Sequence, residues 1–228
     1  MLRSTNNMAG KACHVVASAT QVGLTQALGV AMARKVFEDV KAQEEKLGLP
    51  DGFYMALYKE DDWSFVIKLN ALVEAACTHS LVARLHAQEL SGALAALDLG
   101  NSKFGKVALL RSLGSLTSEQ ASVLKLLYEL RNSLAHNITQ VSFSFAPYLD
   151  ALDKNQRASF VKYAGHGVDE IVSHTGKAIS RSDFVLENPK FALWMTVAEI
   201  IACLYLDHEI AEARLQRLAL GQLKGGRA

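Results

Sequence analysis

The sequence predicts an all-α protein, and three observations carry that prediction. The 228 residues include only 3 prolines. Few stretches alternate apolar and polar residues with the period of a strand. Several long stretches instead repeat apolar residues at helical spacing, between recognisable start and stop signals. Half of the residues are apolar, which is ample material for a core. The length suits one large domain or one domain with an appendage. We divide the chain into an N-terminal tail over 1–22, a single helical domain over 23–220 and a C-terminal tail over 221–228.

Charge narrows the function classes. There are 24 Lys and Arg against 23 Asp and Glu, a formal net charge of +1. A general nucleic-acid coat protein would be strongly basic, so that class is excluded. The charge is unevenly spread. Between Asn101 and Asn137 five basic residues (Lys103, Lys106, Arg111, Lys125, Arg131) face two acidic ones (Glu119, Glu129). Cys13, Cys77 and Cys203 are far apart and odd in number, and a reduced protein of the cytoplasm is the simplest account. No Cys/His group has zinc-ligand spacing, so no metal is expected. The longest apolar run, Phe191 to Leu206, is shorter than the roughly 20 residues a bilayer needs and contains Glu199. It reads as a buried helix and not as a membrane span. No secretory signal is expected either.

The elements follow in order. Residues 1–22 carry no sustained period and predict a loosely packed tail. Leu24 to Leu47 has a narrow apolar stripe (Leu28, Ala31, Met32, Val36, Val40), ended by Gly48 and Pro50, and predicts a helix. Asp51 to Asp62 predicts a connector. Asp62 caps a predicted helix from Trp63 to about His86. On that helix Glu74 shares a face with Ile67, Leu81 and Leu85. A carboxylate on an apolar stripe must find a partner or lose its charge.

Leu90 to Leu97 predicts a short helix, and Lys103 to Leu113 another, closed by Gly114. Gly100 to Lys106 has a superficial likeness to a phosphate loop, but lacks the glycine spacing and a preceding strand. Thr117, with Gln120 three residues on, fits a capping box and predicts a helix from Thr117 to about Asn137. Ile138 to Phe145 alternates enough for a short strand or extended loop. Pro147 to Leu152 and Asn155 to Tyr163 predict short helices, and 165–188 reads as irregular. The whole of 138–188 is long for a bundle connection, and suits a lid or a partner-binding insertion. Asn188 as cap and Pro189 in the first turn start a last helix that runs to about Leu220.

The helix from Thr117 holds the chemistry. Projected at about 100° per residue, Val123, Leu124, Leu126, Leu127, Leu130, Leu134 and Ile138 fall on one broad arc, which must be buried. The opposite arc carries Arg131, Ala135, Tyr128, Asn132, Lys125, His136 and Glu129. Small Ala135 leaves a shallow space between a fixed cation, an amide and a titratable imidazole, which is a seat for a phosphate. Lys125 and Tyr128 share the arc and are candidates for contacting a substrate. Arg131 projects next to the apolar face, so Glu74 is its candidate partner, with Glu199 on the last helix as the rival. The same residues also have a purely structural reading. His136 can interact with the last helical carbonyls, and Arg131 can serve only in an ion pair.

Arg131-Asn132-Ser133-Leu134-Ala135-His136 resembles the signature of the HEPN superfamily. The upstream order is similar too. Phe104-Gly105-Lys106-Val107-Ala108-Leu109-Leu110 leads to Leu113-Gly114, then Thr117, then the motif helix. The resemblance covers residues 63–137 and the final helix over 189–220, with mannitol-repressor-like proteins as more distant relatives. It implies an antiparallel helical bundle of HEPN type, here with an extra N-terminal helix and an irregular insertion before the last helix. It implies a homodimer through the helix over 117–137, which would bring two copies of Arg131, Asn132 and His136 into one cleft. The activity implied is that of a metal-independent endoribonuclease leaving 2′,3′-cyclic phosphate ends, without a cofactor. Its setting would be a toxin or defence system, with RNA as substrate and an antitoxin or regulatory protein as partner. Some HEPN proteins regulate or bind other proteins without cleaving RNA. The alternative expectation is therefore a non-catalytic dimer serving as a regulatory or protein-interaction module.

Overall fold

A helix with nine buried residues and one exposed stripe, through Lys68, Ala71, Ala75 and His79, stands at the centre of this protein. The computed structural model describes residues 41–225 apart from 43, 46, 175 and 176. Its elements are α1 (Phe53–Lys59), α2 (Asp62–Leu85), α3 (Ser91–Ala95), α4 (Lys106–Ser112), α5 (Ser118–Ala135), α6 (Phe145–Ala151), α7 (Lys154–Ala164), β1 (Ile171–His174), β2 (Lys177–Ser180), α8 (Arg181–Glu187) and α9 (Pro189–Gly225). The fold is all-α, with one short antiparallel hairpin in which Ile171 pairs with Ser180 and His174 with Lys177.

The central helix is α2. Phe65, Val66, Leu69, Val73, Cys77, Leu81 and Val82 are all buried along it. It packs against α9, α5, α3, α4 and α1. Most of these side chains form one broad apolar arc, which has to be buried. Two polar ties set its direction against α5. Near the C-terminal end of α2, Arg84 donates to the carbonyl of Leu113, just before α5 begins. At the other end, the Phe145 amide, beyond α5, donates to the Asp62 carboxylate at 3.0 Å. The two helices are therefore antiparallel.

A second pair of ties orients α9. Lys190 pairs with Asp62 at 3.2 Å, and Asp207 lies 3.5 Å from Arg84. The start of α9 thus lies at the start of α2, and the two run parallel. Ser115 also donates to Asp207 at 2.6 Å, so one carboxylate joins three segments. Among the described residues two helices are long and apolar enough to cross a membrane, Asp62–Leu85 and Pro189–Asp207, and these two pack on each other in the core.

The structure departs from the sequence expectations in four places. The connector over 51–62 contains α1, because Tyr54 and Leu57 are buried against the core and Trp194 donates its indole N–H to the Tyr54 carbonyl. The cap of α2 is Asp61, which accepts from the Ser64 amide; Asp62 sits inside the first turn and reaches out to Phe145 and Lys190. Ile138–Ser142 is a short 3-10 turn and not a strand, started by the Asn137 side chain accepting from the Thr139 amide. The stretch over 165–188, expected to be irregular, holds the hairpin and α8, whose first turn is capped by Ser180. The predicted tail over 1–22 lies outside the described residues, as does the predicted helix over 24–47 up to residue 40.

The 138–188 segment is packed onto the bundle. Phe145 stacks edge-on against Phe65 of α2 and contacts Phe160 of α7, and α7 lies along α5. Thr196 of α9 donates to the Ala164 carbonyl and accepts from the Gly167 amide, which closes the end of α7 onto α9.

Candidate functional site

The turn before α5 sets the site. Gly114 has φ +76°, a left-handed conformation that costs glycine little and reverses the chain after α4. Thr117 then caps α5. Its hydroxyl accepts from the Gln120 amide, and the Gln120 side chain accepts in return from the Thr117 amide. The helix ends at Ala135, with His136 at its C-cap.

Val123, Leu124, Leu127, Leu130 and Leu134 are buried. Their burial fixes the rotation of the helix about its axis. The polar arc read from the sequence therefore faces outward: Lys125, Ala135 and His136 are exposed, and Tyr128, Arg131 and Asn132 are half-buried. All the candidate residues on α5 share one surface.

The first predicted contact is present. Arg131 Nη2 lies 3.9 Å from Glu74 Oε1, with each side chain 33 % exposed. The rival, Glu199, is elsewhere: its Oε2 is buried beside Gly167 and has no hydrogen-bond partner among the described residues. Burial pushes the Glu199 carboxyl up to about 7. The Arg131 pair is supported on both sides. Asn70 Nδ2 donates to Glu74 Oε1 at 3.2 Å, and Arg131 Nη1 donates to Asn132 Oδ1 at 2.9 Å.

The chain of hydrogen bonds continues. Tyr128 donates its hydroxyl to Asp98 Oδ2 at 2.5 Å and is also hydrogen-bonded to Asn132. The bond to Asp98 is the main cause that holds the Tyr128 phenol above its ordinary value, with Asn132 acting the other way. Each link implies an orientation. Asn132 turns its oxygen to Arg131, which leaves its N–H for the Tyr128 oxygen, and Tyr128 turns its proton to Asp98. The result is one polar strip running Asp98, Tyr128, Asn132, Arg131, Glu74, Asn70 across three segments of the fold.

Asp98 is the member that sequence reasoning missed. It lies in the loop between α3 and α4, and no periodicity marks it. A usable signal was nearby: Gly100. A Cβ at Gly100 would lie 2.3 Å from the Tyr128 ring, so the loop touches α5 at a place only glycine fits. The loop is held in shape by the Asn101 side chain, which accepts from the amides of Lys103 and Phe104. Lys106, at the start of α4, is buried and donates to the Ala95 carbonyl at 3.0 Å.

The remaining candidates are less enclosed. Lys125 is exposed and pairs with Glu129 one turn on, at 3.6 Å. The His136 backbone amide donates to the Asn132 carbonyl at 3.2 Å, and the exposed imidazole makes no hydrogen bond among the described residues. The Asn132 amide is thus engaged by Arg131 and Tyr128, and not by the ring of His136. Arg131 and His136 are separated by about 7.5 Å along the helix axis at 1.5 Å per residue. A cation held from two sides and an open imidazole on one polar arc can act together on a bound phosphodiester. Compared with protein-family models, with curated proteins and with solved structures, this chain matches none of them.

Proposed function

We propose that this chain is a HEPN-like endoribonuclease that works without a metal, from a homodimer formed through α5. The observation that carries the reading is the state of Arg131. Its guanidinium is held by Asn132 and Glu74, yet a third of the side chain stays open, on the arc that also carries an exposed His136. A preorganised cation beside a titratable imidazole is what phosphodiester cleavage by internal attack requires.

The chemistry runs as follows. A neutral His136 takes the proton from an RNA 2′-hydroxyl, whose oxygen attacks the adjacent phosphorus. The protonated His136 of the second copy gives its proton to the departing 5′-oxygen. Arg131 stabilises the added negative charge on the phosphorane. The products are a 2′,3′-cyclic phosphate and a 5′-hydroxyl. The need for a 2′-hydroxyl makes RNA the substrate and excludes DNA. Such an activity suits a toxin or defence effector of the cytoplasm, held in check by an antitoxin or regulatory protein.

The test is mixed single-stranded RNA incubated with purified protein in EDTA, beside His136→Ala. Cleavage by the wild type, loss with His136→Ala and cyclic-phosphate ends on the products are expected. RNA that survives equally with both proteins, across several substrates, rejects the reading.

One observation favours a second reading, a non-catalytic dimer that binds a regulatory partner. The Asn132 amide and much of the Arg131 guanidinium already have partners within the chain. Here Arg131→Ala would change dimerisation or thermal stability, and His136→Ala would leave RNA as intact as the wild type does. Wild-type stability with lost cleavage in His136→Ala rejects this second reading.

A further inference from the structure

On the side of His136 away from Arg131, the surface opens into a groove of about 640 Å³ between the end of α5, the 3-10 turn and α6. Its position follows from the chain: Ser133 lies one turn before His136, and Asn137 follows it directly, and both line the groove. An RNA strand with its scissile phosphate between Arg131 and His136 would continue past His136 into this space.

The lining defines what it can hold. Gln140, Ser142, Phe143 and Tyr148 are among its lining residues with Ser133 and Asn137, and no charged side chain takes part. A phosphate or an acidic peptide would find no cation here. The wall is aromatic and fixed: the Tyr148 ring lies 5.6 Å from Phe143 and 6.1 Å from Phe160. Gln140 is half-buried, and its carboxamide makes no hydrogen bond among the described residues. Asn137 spends its side-chain oxygen on the Thr139 amide and hydroxyl, which leaves its N–H groups for a ligand. An unstacked base is recognised in RNA by stacking on an aromatic ring and by hydrogen bonds to its edge. A glutamine offers one acceptor and one donor side by side, the pattern that fits N6 and N7 of adenine.

We propose that this groove seats one unpaired nucleobase of the strand, adenine by preference, against Tyr148 and read by Gln140. The proposal rests on the endoribonuclease reading for its substrate, and its test is arranged to fail separately. The probes are single-stranded oligo-A and oligo-U with every 2′-hydroxyl methylated, so that binding is read without cleavage. Fluorescence anisotropy on the full chain should show oligo-A bound roughly tenfold tighter than oligo-U, the discrimination one bidentate contact supplies. Gln140→Ala should erase the difference, with an unchanged circular dichroism spectrum to show that the fold is intact. His136→Ala should keep it. Equal binding of the two oligomers by the wild type, a preference that survives Gln140→Ala, or no binding of either overturns the proposal. Cleavage of mixed RNA with no difference between oligo-A and oligo-U sinks the groove alone. An oligo-A preference without any cleavage supports the groove and sinks the nuclease.

Discussion

At the scale of single residues, the polar strip on α5 is held by contacts from outside the helix. Gly100 is the clearest case. A methyl group there would run into the Tyr128 ring at 2.3 Å, so either the loop or the ring must move. Gly100→Ala is expected to cost about 1–3 kcal/mol in chemical denaturation, typical of forced overpacking. Tyr128→Ala in the same chain should recover part of that loss. A Gly100→Ala chain as stable as the wild type would show that the loop yields freely. Asp98→Ala removes the acceptor of the Tyr128 hydroxyl; Asp98 is exposed and Tyr128 only half-buried, so little stability should be lost. For the proposed ribonuclease the expected effect is a lower kcat with little change in KM, because Asn132 and through it Arg131 lose their orientation. An unchanged kcat in Asp98→Ala would detach the strip from the activity. The thiol of Cys77 illustrates the opposite environment. Burial pushes it up to about 12, with the nearby Lys106 ammonium lowering it and Glu74 raising it. It is expected to resist alkylation until the protein unfolds.

At the scale of elements, α5 joins local instructions to burial. The reciprocal cap of Thr117 and Gln120 satisfies backbone N–H groups that the first turn leaves open. Thr117→Ala should destabilise the fold by about 1 kcal/mol, measured by denaturant unfolding. Leu127 is fully buried in the centre of the same helix. Leu127→Ala should cost about 2–5 kcal/mol, since a cavity is added to the lost transfer energy. If the two costs were equal, α5 would owe its stability to its own sequence more than to the core. The neighbouring 3-10 turn shows where periodicity fails. Ile138 to Phe145 alternates like a strand, but no strand among the described residues pairs with it, and Asn137 turns the backbone into a short helix. The Phe145 amide then finds the Asp62 carboxylate, a partner 83 residues back in the chain.

At the scale of the whole molecule, the packing of α9 against α7 and its following loop leaves Glu199 with a buried oxygen that has no hydrogen-bond partner among the described residues. Burial raises its carboxyl from an ordinary 4.5 to about 7. The folded state therefore favours the protonated form. The resulting contribution to stability is full below about 4.5 and is lost as pH rises through about 7. Glu199→Gln is neutral at every pH, so its Tm should exceed that of the wild type near pH 8 by more than near pH 5. Equal differences at the two values would mean that the oxygen is hydrated. The proposed homodimer is checked at the same scale. Sedimentation velocity should show a concentration-dependent dimer, and a charged substitution at exposed Ala135 should shift it toward monomer. A monomer at every concentration would remove the two-copy cleft.

Much of this was legible in the chain, and the reasons differ from residue to residue. The rotation of α5 follows from Leu124, Leu127, Leu130 and Leu134, because one buried arc fixes the other. The pairing of Glu74 with Arg131 was legible because two charges beside apolar stripes have few ways to be satisfied. Gly48 and Gly114 marked ends through their need for left-handed backbone. Asp98, the α1 helix over 53–59 and the groove at Gln140 were not legible. Each depends on which distant segment arrives next to it, and neither spacing nor composition encodes that. By itself, then, the sequence determined the helical class, the faces of the helices and the residues of the polar arc, all of which follow from local periodicity and capping. Only the tertiary structure decided that α9 runs parallel to α2, that the 96–105 loop props up Tyr128, and that Asn132 is turned toward Arg131. Those choices depend on burial and hydrogen bonds between segments far apart in the chain.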